Sequence, residues 1–364
     1  MGLIRFLLAL SVVLVHSGPF FGITLFNGVV AVQSFYIISG FYMSLILNEK
    51  YCQKKDYRLF LTNRIYRIFP VYYLISILSI ALLITTNQFG PTKILSGLEN
   101  FHLSSIALII VSQVTIIGQD LFSFLTIDKN GFLIFTSDFW NENVRLTNYM
   151  LLPQAWTISL ELMFYLIAPF ILRKNIKLII GIIILSIFGR MLLIMAGLRF
   201  DPWTYRFFPN ELAFFLAGAI SYYFYNRIKE ISIHKMITAS IFILILAACF
   251  TFRYWGSFKP ALGLYYLLFV PSVSIIFKAS KSIPTDRWIG ELSYPIYLSH
   301  FLFINLFNLF LPYGDNLNVL SVIICTILFS IMCESIITKP IEKFRQRRAA
   351  SLLALENTIQ SSGK

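Results

Sequence analysis

The sequence predicts an all-α polytopic membrane protein: about ten transmembrane helices, one further apolar segment that is re-entrant or interfacial, and both termini in the cytoplasm. Three observations predict it. The chain is 57% hydrophobic with a mean hydropathy of +0.75, more apolar side chain than a soluble domain of 364 residues can bury. Its apolar residues gather into runs of spanning length. Its basic residues, 30 Lys and Arg against 17 Asp and Glu, cluster between those runs, as the positive-inside rule requires of loops on an anionic inner leaflet. In a soluble chain a net charge of +13 points to nucleic acid; here it points to the lipid bilayer, and no nucleic-acid partner is expected.

Taken in order, the apolar runs are 3–21, 28–47, 65–86, 101–118, 155–172, 177–197, 207–225, 233–252, 260–277, 291–311 and 319–338. The strongly basic connections are 48–67, 173–177, 226–235, 278–290 and the stretch from Lys339. If every run crossed, these could not share one side, because three runs separate the connection ending near Arg67 from the one at Arg173. One run must not cross. The weakest is 101–118, bracketed by His102, Ser104, Ser105, Ser112 and Gln113, which is expected to re-enter or lie on the outer side. Residues 119–153, mixed polar and aromatic, then face outward, as a cap over an opening or as an interfacial loop with an aromatic belt. The integral-membrane domain is read as 1–348 and the polar C-terminal tail as 349–364, unordered from Ser351 on.

The first run carries Arg5 at its start and His16 near its far end, eleven residues or about 16 Å apart on a helix. Read as a signal peptide, Arg5 is the n-region and Phe6 to Val15 the h-region, but one charge and no small-x-small cleavage site speak against it. An ionisable side chain deep in a span costs about 2.5 to 3.5 kcal/mol and marks a functional position by default. Arg5 serves a ligand or snorkels to the interface. His16 is a proton acceptor at neutral pH, or a structural hydrogen-bond partner of a neighbouring helix.

Further along, Arg64 and Arg67 are three residues apart with Pro70 following, and share a helix face. Two guanidiniums on one face make a fork for phosphate; positive-inside anchoring explains them as well. Thr157, Glu161 and Tyr165 fall on one face after Trp156, and a carboxylate that deep needs a partner, such as a histidine or arginine on another helix. Ser293, Tyr297 and His300 form a polar stripe that suits a structural network as well as catalysis. Ser39 and Gly40 are small residues that permit close helix approach. Cys52, Cys249, Cys325 and Cys333 lack metal-ligand spacing, so neither a disulfide framework nor a metal is expected. There is no glycine-rich phosphate loop, HExxH or GxSxG.

In this order, those stretches resemble the integral-membrane acyltransferase 3 family, bacterial enzymes that O-acylate cell-surface sugars. The resemblance runs from Arg5 to about Arg348, and its most specific element is the arginine and histidine with ten residues between them in the first span. SGFYMS at 39–44, R-x-x-R at Arg64 and Arg67 with Pro70, W-x-x-S-x-E from Trp156 to Glu161, and SYPIYLSH ending at His300 agree with it. It implies a ten-span enzyme of the bacterial cytoplasmic (inner) membrane that transfers acyl groups other than aminoacyl. The donor is acyl-CoA, most often acetyl-CoA. The acceptor is a hydroxyl of a glycan, either a surface polysaccharide such as O-antigen, capsule or exopolysaccharide, or a lipid-linked glycan, with polysaccharide-assembly proteins as further partners. His16 would be the catalytic histidine, and Arg5, Arg64 and Arg67 would serve the acyl-CoA end.

With the family in mind, Glu161 is expected to be catalytic by orienting His16, and Ser39, Trp156, Tyr165, Tyr297 and His300 to bind substrate or form a structural network. A covalent acyl-histidine fits the sequence equally well. Members often end the last span with a Glu-Lys-Pro-like turn; here Thr338, Lys339 and Pro340 stand there, with Glu334 one turn earlier. No esterase-like domain follows, so no second transfer by a fused domain is expected. The rival reading is a secondary transporter or flippase of a polar solute or lipid-linked sugar. Transporters more often show broken helices in repeated halves, and the charges here sit at one mouth instead. A receptor or scaffold leaves His16 and Glu161 unexplained.

Overall fold

The computed structural model describes residues 1–86, 97–257 and 260–362. Its helices are α1 (Gly2–Ser17), α2 (Gly28–Glu49), α3 (Tyr57–Thr86), α4 (Leu103–Thr115), α5 (Trp156–Ile171), α6 (Ile176–Met195), α7 (Phe208–Ile228), α8 (Lys235–Thr251), α9 (Ala261–Ser280), α10 (Pro284–Phe307), α11 (Asn316–Cys333) and α12 (Lys339–Ser362). The chain is an all-α polytopic membrane protein, and seven helical segments among the described residues are long and apolar enough to cross a bilayer. The buried share of those segments runs from 11% in α6 and α8, which face lipid, to 67% in α2 and α5, which are central.

Two of the helices outside that group, α7 and α10, have spanning length but spend it on side chains that face protein. Asn210 and Glu211 are buried on α7, and Ser293, Ser299 and His300 on α10. The third, α1, has 16 residues. All three pack closely on a neighbour: α7 on α2, and α1 on α10. Both pairs meet through glycine. A Cβ on Gly40 would overlap the Phe215 carbonyl, one on Gly218 that of Ile37, and one on Gly2 that of Asp286. Gly40 thus has the close-approach role its small size predicts.

The five basic connections converge on one end of the bundle. Arg173 donates to the Tyr51 carbonyl, Lys278 to that of Ile228 at 2.7 Å, and Arg348 to the Thr62 hydroxyl at 2.9 Å. Arg67 reaches Glu291, just past 278–290, at 3.1 Å. α3 starts eight residues before the apolar run 65–86, so Arg64 and Arg67 lie inside a helix rather than ahead of one.

At the opposite end, residues 116–155 form a folded cap with Phe122, Phe139, Leu146 and Met150 fully buried or nearly so. It departs from the all-α expectation by a two-stranded antiparallel hairpin, β1 (Leu125–Ile127) with β2 (Leu133–Phe135). The Asp128 carboxylate closes its turn by accepting from the Asn130 and Phe132 amides. α4, 13 residues long, rises only about 20 Å against a hydrocarbon core of about 30 Å. Both its ends are tied to this cap. His102 N and Ser105 Oγ donate to the Gly131 carbonyl, while Gln113 bonds Tyr149 O and Leu151 N.

A π-helical turn, Glu334–Thr338, joins α11 to α12. α12 runs on to Ser362 where unordered chain is expected from Ser351; Gly363 and Lys364 of that tail lie outside the described residues.

Candidate functional site

Between α1, α2, α3, α5, α9 and α10 lies a cavity of about 670 Å³. Its basic end is lined by Arg5, Arg64, Arg67 and Glu291, and its interior by Ser39, Glu161, Tyr165, Thr157 and Tyr297. Glu291, on the first turns of α10, holds two of the three arginines. Arg67 Nη2 donates to both its oxygens at 3.1 and 3.3 Å, and Arg5 Nη1 stands 3.9 Å away. Arg64 is different. It is 6% exposed and makes no hydrogen bond or ion pair among the described residues, with its Nε buried and unpartnered. With its Nε desolvated and no carboxylate paired to it among the described residues, this guanidinium lines the cavity as a cation in want of negative charge.

Along the interior wall the Glu161 carboxylate accepts from Ser39 Oγ at 2.7 Å and from the Tyr165 hydroxyl one turn on. Thr157 Oγ1 and Tyr297 Oη are 2.8 Å apart, joining α5 to α10. Glu161 makes no hydrogen bond to His16. The orientation expected of that carboxylate comes from elsewhere.

His16 sits with its Nδ1 3.0 Å from the Val12 carbonyl and 3.1 Å from His300 Nε2. The two ring planes lie within 22° of each other with centroids 5.1 Å apart, and Phe301 packs against both. His300 is 0% exposed and its Nδ1 lies 2.6 Å from the Tyr297 carbonyl. Neither histidine lines the cavity. The wall on their side is made by Tyr297 and Phe35, whose rings meet edge to face at 6.2 Å. α1 and α10 therefore run side by side and touch at two levels, Arg5 with Glu291 and His16 with His300.

Trp156 belongs to neither group. It lies at the cap end, under the Arg206 guanidinium at 4.6 Å and against Tyr205 at 4.8 Å, with Arg206 held by both oxygens of Asp201. Nearby in the cap, Asp120 accepts from Ser159 Oγ at 2.6 Å; burial pushes its carboxyl above the usual range despite that bond.

Sequence reasoning missed Glu291, which sits at the edge of an apolar run and reads as a boundary residue. It also missed the buried set in which Gln33 and Arg190 both donate to Glu211, at 3.1 and 2.7 Å. A carboxylate and an arginine inside apolar runs were the available signal. Among the described residues no three His, Cys, Asp or Glu side chains converge as a metal site.

The family model described as "Acyltransferase domain" (Acyl_transf_3) matches residues 1–335. The chain belongs to the acyltransferase 3 family. Among relatives of this acyltransferase 3 chain is the peptidoglycan O-acetyltransferase OatA of Listeria monocytogenes serovar 1/2a. It is 26% identical over 313 residues, covering 77% of this chain and 45% of the Listeria protein. The chain thus spans less than half the length of that relative. An uncharacterized protein of Aquifex aeolicus is 26% identical over 163 residues, covering 42% of this chain and 69% of its own length. No solved structure matches. The family match ends within the π-helical turn, so α12 lies beyond it.

Proposed function

We propose that this acyltransferase moves an acetyl group from cytoplasmic acetyl-CoA to a hydroxyl of a surface polysaccharide or lipid-linked glycan at the bacterial inner membrane. The observation that carries the reading is Arg64, a buried cation on a cavity wall with no counter-ion of its own among the described residues. The diphosphate and 3′-phosphate of CoA are anions of the right kind, met by charge-assisted hydrogen bonds from Arg64 and Arg67 with Arg5 beside them. Convergence of the basic connections favours a cytoplasmic location for that end. Ten crossings follow, α1 to α3 and α5 to α11, with α4 on the outer side and both termini inside.

In this reading the pantetheine arm lies along Ser39, Glu161 and Tyr165, whose hydroxyls and carboxylate complement its amides. The thioester comes to rest at the level of Tyr297. A sugar enters from the cap end, where Trp156 and Tyr205 offer ring faces. His16 takes the proton of the attacking hydroxyl, the alcohol oxygen bonds the thioester carbonyl carbon, and the carbon–sulfur bond breaks. The imidazolium returns the proton to the departing CoA thiolate. Glu161 then acts on the donor, without touching His16.

Two measurements test this. Purified protein in lipid nanodiscs should release CoA from acetyl-CoA, and deleting the gene should remove O-acetyl groups from a surface glycan. Transport of a solute without CoA release, with the glycan unchanged, would favour the transporter reading instead.

A further inference from the structure

The structure gives His16 a neighbour that the mechanism above leaves idle. A backbone carbonyl can only accept, so the 2.6 Å contact with Tyr297 O places a hydrogen on His300 Nδ1. His300 is fully buried, and among the described residues no carboxylate bonds it to offset a charge, which favours the neutral ring. A neutral imidazole with its hydrogen on Nδ1 carries a lone pair on Nε2. That lone pair meets His16 Nδ1 at 3.1 Å. The Val12 carbonyl, 3.0 Å from the same atom, also only accepts. His16 Nδ1 must therefore carry its hydrogen and share it between two acceptors. Its Nε2 has no hydrogen-bond partner among the described residues and holds the free lone pair.

We infer that His300 is the positioning residue of this site: its Nε2 fixes the His16 ring with Nδ1 protonated and Nε2 free to take a proton. Val12 belongs to α1 and moves with His16, whereas His300 belongs to α10 and ties the ring to the opposing helix. When Nε2 gains the acceptor's proton, the Nδ1–H of the imidazolium still points at a neutral acceptor. A carboxylate does this in the Ser-His-Asp triad. Here the carboxylate on offer, Glu161, is engaged by Ser39 and Tyr165, and a neutral acceptor avoids a second buried charge. The inference rests on His16 being the proton acceptor, and the test separates the two ideas.

The amide of glutamine puts its oxygen near where imidazole Nε2 stands, while that of asparagine reaches only the Nδ1 position. His300→Gln should therefore keep an acceptor for His16, and His300→Asn should keep only the tie to Tyr297. In full-length protein in nanodiscs, with acetyl-CoA as donor and water or a chito-oligosaccharide as surrogate acceptor, His300→Gln should retain kcat within about fivefold. His300→Asn should lose about 10²-fold, with KM for acetyl-CoA unchanged in both. Equal kcat in the two variants overturns the positioning role. Wild-type activity in His16→Ala overturns the reading beneath it. Independently of turnover and of variant folding, diethyl pyrocarbonate followed by peptide mass spectrometry should modify His16 and spare His300 in the native protein. Modification of His300 as fast as His16 also overturns the proposal.

Discussion

The two levels at which α1 meets α10 are built on opposite principles. At one, Arg5 and Arg67 share the single carboxylate of Glu291, and a third arginine, Arg64, is left over among the described residues. At the other, two neutral rings and two backbone carbonyls satisfy one another with no charged partner. At the basic end a surplus cation is left facing the cavity; at the histidine pair the polar groups are matched as donors and acceptors without a carboxylate, because each uncompensated ion in a membrane interior is expensive.

The largest effect is expected at the histidine level. His16→Ala should reduce CoA release by about 10³-fold with little change in KM for acetyl-CoA, as expected of a group that acts only in the chemical step. A comparable rise in KM would move His16 to the donor side. At the arginine level the signature is inverted. Arg64→Met should raise KM for acetyl-CoA about tenfold or more, yet leave the ligand-free protein as stable or more so, since it removes an unpaired buried charge. Thermal melting with and without CoA reads both, and a large loss of ligand-free stability would show that Arg64 already has its anion. Glu161→Gln sharpens the boundary between levels. Glutamine keeps an acceptor for Ser39 and Tyr165, so a severalfold rise in KM with kcat within about fivefold is expected. A fall in kcat matching His16→Ala would return Glu161 to the base. The smallest effect lies outside both levels. Burial raises the Asp120 carboxyl, so its ionised form is penalised and stability falls as pH rises through its unfolded value. Asp120→Asn should lack that fall, differing from native by under about 1 kcal/mol in melts at pH 4 and pH 7.

Much of this was legible before any coordinates. Apolar runs located the long apolar helices because lipid favours no other composition, while parity among the basic connections required that one run not cross and the polar residues bracketing 101–118 marked it as the weakest. The face shared by Thr157, Glu161 and Tyr165 became one wall of the cavity. Partnerships across helices were not legible. Periodicity put His300 on one face with Ser293 and Tyr297, but 284 residues separate it from His16 and no local rule registers one against the other. Glu161 was expected to seek a histidine or arginine and found the hydroxyls of Ser39 and Tyr165. The cap hairpin escaped notice because its strands are three residues each, below the length at which alternation registers.

Tyr297 closes the cavity with its side chain and sets the hydrogen on His300 with its main chain. In the proposed reaction, closure of the cavity on this side and readiness of the base are thereby vested in a single residue. On the proposed reading, a donor that displaces this phenol bears on the same residue whose carbonyl orients the second imidazole.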